Sequence, residues 1–249
     1  MTNKQPLNFR IKEAVKGALK SVRCPSFIYE PIRMKWRRYR RARAMREMDA
    51  HGYETMALLH DIFMKYEIPY YCDAGTLLGF IRDGAFIKGD ADFDLSIIPE
   101  SVSLSKVLKC LLAEGFRFMS AQDYNGRMIE LTVMHPKLSL NIDVFQSEYV
   151  TPDKEWMTVR YLRWYNDVKY PSARDNTALE FRFRAPKGLK TMEVHGVTVS
   201  VPVNAEELLD DEYGVWRVYD PTFKSDNLPH EVGKYYAHRL TLEEALAHK

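Results

Sequence analysis

Gly89-Asp90-Ala91-Asp92-Phe93-Asp94-Leu95-Ser96-Ile97-Ile98 alternates three carboxylates with small or apolar side chains and then runs into a hydrophobic strand end. Successive strand residues point to opposite faces, so the spacing predicts a strand with Asp90, Asp92 and Asp94 on one face, same-side neighbours roughly 6 to 7 Å apart. Asp is disfavoured in strands, and like charges held this close raise one another's pKa unless a cation neutralises them. A hard divalent ion bound through carboxylate oxygens is the usual answer. A solvated strand face is the plain alternative, and the triplet alone does not separate the two.

Upstream, Pro69-Tyr-Tyr-Cys-Asp73 reads as a short buried strand, and Gly75-Thr76-Leu-Leu-Gly79 as the turn into a helix that runs to Arg82. Free N–H groups at such a turn, together with the helix dipole, favour a phosphate, and Thr76 adds a hydroxyl donor. Gly79 lies one helical turn beyond Gly75 and suits close packing of helix on sheet. Arg82 and Lys88 stand on either side of the loop into the acidic strand, where either can balance a leaving phosphate or make a surface ion pair. Downstream, Arg127 to His135 and Leu138 to Gln146 flank Pro136-Lys137 like a hairpin, and the second strand carries Asp143 between Ile142 and Val144. Two carboxylates two residues apart, a third from a neighbouring strand and a facing glycine turn form a cradle for a divalent metal and nucleotide phosphates.

The remaining pattern predicts a helix from about Met45 to Tyr66, with Met48, Met56, Leu59, Ile62 and Phe63 as its apolar stripe, and another from Val102 to Glu114. A hairpin turns at His195-Gly196. Asn204 is expected to cap a short helix through Tyr213 that stops at Gly214, and a last helix is expected from about Glu231 to His248. Aromatics crowd Trp156 to Tyr170, where Tyr161 to Tyr165 either stack on a base or sugar or fill a core. The element order argues for an α+β fold, a mixed β-sheet with helices packed on it.

At 249 residues and 46% hydrophobic the chain can bury a substantial core. Three scattered cysteines offer neither zinc-site spacing nor a disulfide framework, which suits a cytoplasmic protein. No signal-like start or membrane-spanning apolar run is visible, so any membrane contact is expected to be peripheral, at the inner face. The net charge of +2 conceals a segregation: residues 1 to 50 hold 14 Lys/Arg against 4 Asp/Glu. We therefore divide the chain into a basic helical arm, 1–44, and a catalytic domain, 45–249. The arm's Met34-Lys-Trp-Arg-Arg-Tyr-Arg-Arg-Ala-Arg-Ala-Met-Arg46 suits an anionic membrane or a polyanionic glycan, or is simply a solvated helix. No groove-reading module is present, which argues against specific nucleic-acid binding.

At its acidic strand and glycine turn the chain resembles the LicD and fukutin family of the nucleotidyltransferase superfamily. The resemblance covers Ala74-Gly-Thr-Leu-Leu-Gly-Phe-Ile-Arg82, Phe86-Ile87, Asp90-Ala-Asp-Phe-Asp-Leu95, Asn141-Ile-Asp-Val-Phe145, and Val201-Pro202 followed by Glu-Leu-Leu-Asp-Asp-Glu-Tyr-Gly-Val-Trp216. It implies a nucleotidyltransferase-like core with Mg²⁺ or Mn²⁺ held by Asp92, Asp94 and Asp143. Beside that resemblance, Gly75, Thr76 and Lys88 read from the residues themselves as donor contacts and Arg82 as a catalytic residue. LicD-like members move a phosphorylated alcohol (phosphocholine, ribitol phosphate or glycerol phosphate) from a CDP-linked donor to a sugar hydroxyl of a cell-surface or lipid-linked glycan, releasing CMP. Many members carry Pro-Trp before an almost unbroken acidic run. Lys88-Gly89 and Ala91 stand there instead, so Asp90 reads as shaping the loop or supporting the ligands. Two other functions fit the same residues: an NTP-dependent nucleotidyltransferase acting on a small molecule or RNA, and a catalytically silent polyanion-binding protein.

Overall fold

A computed structural model of the chain describes residues 26–163, 170–172, 174–220, 222–223 and 228–248. Two compact units divide it, Met1–Arg43 and Ala44–Lys249. Helix α1 (Ser26–Lys65) begins in the first and continues in the second. In the second unit Met48, Met56, Leu59, Ile62 and Phe63 recur near the helical period and are buried. The helix stops where Glu67 turns left-handed (φ 52°) and the Ile68 N–H returns to the Phe63 carbonyl at 2.8 Å.

There follow β1 (Tyr70–Cys72), α2 (Ala74–Arg82), β2 (Asp92–Ile97), α3 (Leu104–Ala113), β3 (Arg117–Tyr124), β4 (Arg127–Met134), β5 (Asn141–Gln146), β6 (Glu148–Tyr149), β7 (Trp156–Arg163) and β8 (Asp175–Arg184). A hairpin of β9 (Leu189–Val194) and β10 (Val197–Pro202), helix α4 (Ala205–Tyr213), β11 (Glu231–Leu240) and helix α5 (Leu242–Ala247) complete it. The large sheet has the order β1-β2-β5-β4-β3-β11-β8-β7-β6. Among the described residues β2 and β5 are its one parallel pair; the other neighbours run antiparallel. The architecture is α+β, a mixed sheet flanked by helices.

Strand alternation sorts this sheet into two faces. Phe93, Leu95 and Ile97 are fully buried in a cluster with Leu59, Phe63, Leu108, Leu111, Ile142 and Val144, which joins α1 and α3 to the sheet. Each such side chain contributes about 1.5–3 kcal/mol on burial. The opposite face of β2 carries Asp92, Asp94 and Ser96. Beside it Tyr71, Phe145, Tyr161, Phe181 and Leu208 form a second cluster under α4.

Three expectations change. The acidic strand begins at Asp92, because Gly89 turns left-handed (φ 89°) and the Asp90 N–H bonds back to the Ile87 carbonyl at 3.0 Å, leaving Asp90 and Ala91 in the entering loop. The expected last helix is mostly β11, whose Val232, Tyr235 and Tyr236 suit a strand and which fills the place between β3 and β8. Only α5 is helical, opened by a capping box in which the Thr241 hydroxyl accepts from the Glu244 N–H and the Glu244 carboxylate from the Thr241 N–H. Asn204 precedes α4 without capping it: its amide accepts from the Lys187 N–H at 2.9 Å and donates to the Ala185 carbonyl at 3.1 Å, clamping the chain after β8.

Candidate active site

The turn from β1 into α2 is bound to β2 bond by bond. The Asp73 N–H donates to the Asp94 carbonyl (3.0 Å), the Gly75 N–H to Asp94 Oδ2 (3.1 Å), and the Asp94 N–H to Thr76 Oγ1 (3.0 Å). Beneath them Ser96 Oγ donates to Asp73 Oδ2 at 2.5 Å, in a buried setting. Ala74 opens the helix at φ 41°, a left-handed conformation that costs a non-glycine residue about 1–2 kcal/mol. Such strain persists only where surrounding contacts over-determine it, and it gathers at functional sites.

The acids converge on this turn. A side-chain carbon placed at Gly75 would lie 3.1 Å from Asp94 Oδ2 and 3.3 Å from Asp90 Oδ2, so only glycine lets both carboxylates close on that point without displacement. Parallel pairing sets Asp94 beside Asp143 and Asp92 beside Asn141. On the far side of β5, Thr132 of β4 is opposite Asp143 and donates its hydroxyl to Asp143 Oδ1 at 2.5 Å. Asn141 shares a face with Asp143 by alternation, and its Oδ1 is buried without a hydrogen-bond partner among the described residues.

Electrostatics report the crowding. Burial pushes the Asp94 carboxyl well above the usual carboxylate range, and the charges of Asp92, Asp143, Asp90 and Asp73 push it further. Asp143 is pushed up to about 7, first by burial and then by Asp92, against the Thr132 hydrogen bond that pulls it down. Asp73 is raised by burial, opposed by Ser96. The end of α4 lies in the same field. Tyr161 Oη donates to Glu212 Oε1 at 3.1 Å, and the Tyr161 and Tyr213 hydroxyls are both raised, by burial first and then by charges that include Glu212, Asp94 and Asp73.

Asp92, Asp94, Asp143, Gly75 and Thr76 are thus brought together, and Asp90 joins them from the loop. Two of the groups expected to meet a phosphate are otherwise engaged: the Gly75 N–H holds Asp94, and Thr76, 1% exposed, accepts from β2. Arg82 is forked onto Asp83 (2.8 and 2.7 Å), with the Tyr219 ring 5.7 Å from its guanidinium. Lys88 is exposed on the loop. Trp216 is buried and donates from Nε1 to Asp210, while Tyr161 belongs to the core; Trp164 and Tyr165 fall outside the described residues. Sequence reasoning assigned no site role to Asp73, Ser96, Thr132, Asn141 or Glu212. Alternation signals Ser96 and Asn141, which share the parity of Asp94 and Asp143. Thr132 and Glu212 depend on register and tertiary packing, which carry no local signal.

Residues 67–204 match the family described as LicD/FKTN/FKRP, nucleotidyltransferase domain. That is more than half of the chain and includes every acid of the cluster. The chain belongs to the LicD/FKTN/FKRP family. It is also similar to uncharacterized proteins of Caenorhabditis elegans (25% identical over 70% of this chain and 44% of that protein) and Rickettsia typhi (25% over 39% and 33%). A third, from Rickettsia prowazekii, is 31% identical over 29% of this chain and 28% of its own length. The chain therefore spans less than half the length of these relatives. Among the described residues no helix is long and apolar enough to cross a membrane.

Proposed function

We propose that the protein is a metal-dependent transferase that moves a phosphorylated alcohol from a CDP-linked donor to a sugar hydroxyl, releasing CMP. The observation that carries this reading is the gathering of Asp90, Asp92, Asp94 and Asp143 around the Gly75 turn, beside the orphaned Asn141 Oδ1. Burial and neighbouring charge raise Asp94 and Asp143 among these oxygen donors, a setting that suits a hard cation. Among the described residues no three His, Cys, Asp or Glu side chains are arranged to hold a metal by themselves. That is compatible with Mg²⁺ or Mn²⁺, since magnesium is usually bound through one or two carboxylates with substrate phosphates completing the shell.

One or two of Asp92, Asp94 and Asp143 would hold the ion, with substrate phosphates completing its shell. When bound it neutralises charge on the pyrophosphate as that group breaks. Asp94 or Asp143 accepts the proton of the acceptor hydroxyl; the hydroxyl oxygen bonds to the phosphorus bearing the alcohol, and the bond from that phosphorus to the CMP oxygen breaks. Thr132 fixes the Asp143 carboxylate and the Gly75 N–H fixes Asp94, so both are held before substrate arrives. Tyr219 is exposed, with its ring 5.7 Å from the Arg82 guanidinium, and suits the sugar of an acceptor.

The test screens CDP-choline, CDP-ribitol and CDP-glycerol with Mg²⁺ or Mn²⁺ and a glycan acceptor, scoring CMP and the phosphodiester product. Loss of both in Asp92→Asn and Asp94→Asn supports the reading; undiminished transfer in either variant sinks it. Pyrophosphate released from an NTP would identify a nucleotidyltransferase instead. Binding of neither metal nor nucleotide would leave a silent polyanion-binding protein.

A further inference from the structure

We infer that the first unit of the chain docks on an anionic phospholipid surface, through the part of α1 before Ala44. This goes beyond the reaction proposed above and does not depend on it. Between Pro31 and Arg43 the sequence holds seven Lys/Arg and no acid, and every residue from 34 to 43 is exposed. Within this charge lies an aromatic pair: helical spacing puts Trp36 and Tyr39 on one side of α1. Trp36 and Tyr39 are large rings more than half exposed, at 54% and 56%. Positions 35, 37, 38, 40 and 41 lie beside this pair or on the opposite side, and all are basic.

A helix with aromatics along one side and arginines around the rest lies in the headgroup layer, rings at the acyl boundary and guanidinium groups on lipid phosphates. Two rings on one side of the helix with charge around them make the amphipathic ridge of a helix that lies in a bilayer interface. Trp36 and Tyr39 meet edge to face at 6.1 Å and 85° and keep their other faces exposed, so single-stranded RNA is the alternative occupant that the test separates. An edge-to-face pair loses nothing in a bilayer interface, which needs only an amphipathic ridge.

The experiment uses the full chain in a flotation assay. Phosphatidylcholine vesicles are compared with vesicles in which about a third of the lipid is phosphatidylserine, at about 0.1 M and about 0.5 M salt. Bromine-labelled acyl chains report tryptophan insertion. Flotation is expected only with the anionic vesicles at the lower salt. Reversing Arg37, Arg38, Arg40 and Arg41 to Glu should weaken it by at least about 100-fold. Bromine quenching should be lost in Trp36→Phe, a conservative change at an exposed site that retains the fold. Failure to float with anionic vesicles overturns the inference, as does quenching that survives Trp36→Phe. So does oligouridylate that binds the protein more tightly than the anionic vesicles do at equal phosphate concentration, which would identify RNA as the occupant.

Discussion

Replacing Asp143 by Asn should stabilise the metal-free protein at neutral and alkaline pH. The Asp143 carboxyl titrates at about 7 in the fold against an ordinary value of 3.8. The folded state therefore holds a proton that the unfolded chain has already released, and stability falls as pH rises from about 4 to about 7, then levels off. At 1.36 kcal/mol per pK unit the difference is about 4 kcal/mol above pH 7. Coupling to Asp92 and Asp94 divides that sum, so on the order of 2–4 kcal/mol belongs to removing this one charge. Asn keeps an oxygen for the Thr132 hydroxyl, whose bond to Asp143 Oδ1 is 2.5 Å, so packing is preserved. Thermal melts in EDTA at pH 5 and pH 8 measure the effect. At about 2–4 °C per kcal/mol the variant should melt on the order of 5–10 °C above the parent at pH 8, and close to it near pH 4 to 5. A variant no more stable than the parent at pH 8 would refute the claim that uncompensated carboxylates strain this site.

Other consequences follow from the same contacts. Millimolar Mn²⁺ or Mg²⁺ should raise the melting temperature of the parent at pH 8 and leave the double variant Asp92→Asn, Asp94→Asn unmoved, read by thermal shift. Gly79→Ala should cost more than about 2 kcal/mol in urea denaturation, because its new carbon would meet the Ala85 carbonyl oxygen at 2.6 Å and the Ile87 nitrogen at 3.0 Å, both backbone. Gly75→Ala, whose carbon would meet carboxylate oxygens at 3.1 and 3.3 Å, should lower metal affinity in calorimetry more than it lowers stability. Ser96→Ala removes the donor to Asp73 in a buried setting and should cost about 1–3 kcal/mol at pH 7; Asp73→Asn added to it should recover part of that loss.

How much of this was legible in the sequence differs residue by residue. Asp92, Asp94 and Asp143 stood out because alternation is a local property: each lies between residues whose apolar side chains occupy the other face. The start of β2 was not legible, since a left-handed Gly89 and a turn from Ile87 to Asp90 interrupt a pattern that runs on unbroken in the letters. The stretch from Glu231 to Leu240 has no strict period, so only the place between β3 and β8 decides it, whereas the Thr241 and Glu244 capping pair is a local signal for the start of α5. Thr132 reaches Asp143 through a register that no short-range rule predicts.

Asp90 shows what the geometry adds to the reading of the acids. The unusual neighbours Lys88-Gly89 and Ala91 argue for a supporting role, yet its Oδ2 closes on the same point at Gly75 as that of Asp94. The glycine turn is correspondingly altered in meaning. Its N–H, expected to meet a phosphate, donates in the structure to Asp94, a carboxylate already repelled by four others. A second anion brought to that turn would meet the same repulsion. Under the proposed reaction the donor pyrophosphate must therefore be drawn by a cation held among these acids, and the turn serves to fix the carboxylate that holds it. This ordering predicts that nucleotide binding in calorimetry vanishes in EDTA, whereas a turn that captured phosphate on its own would bind the nucleotide without metal.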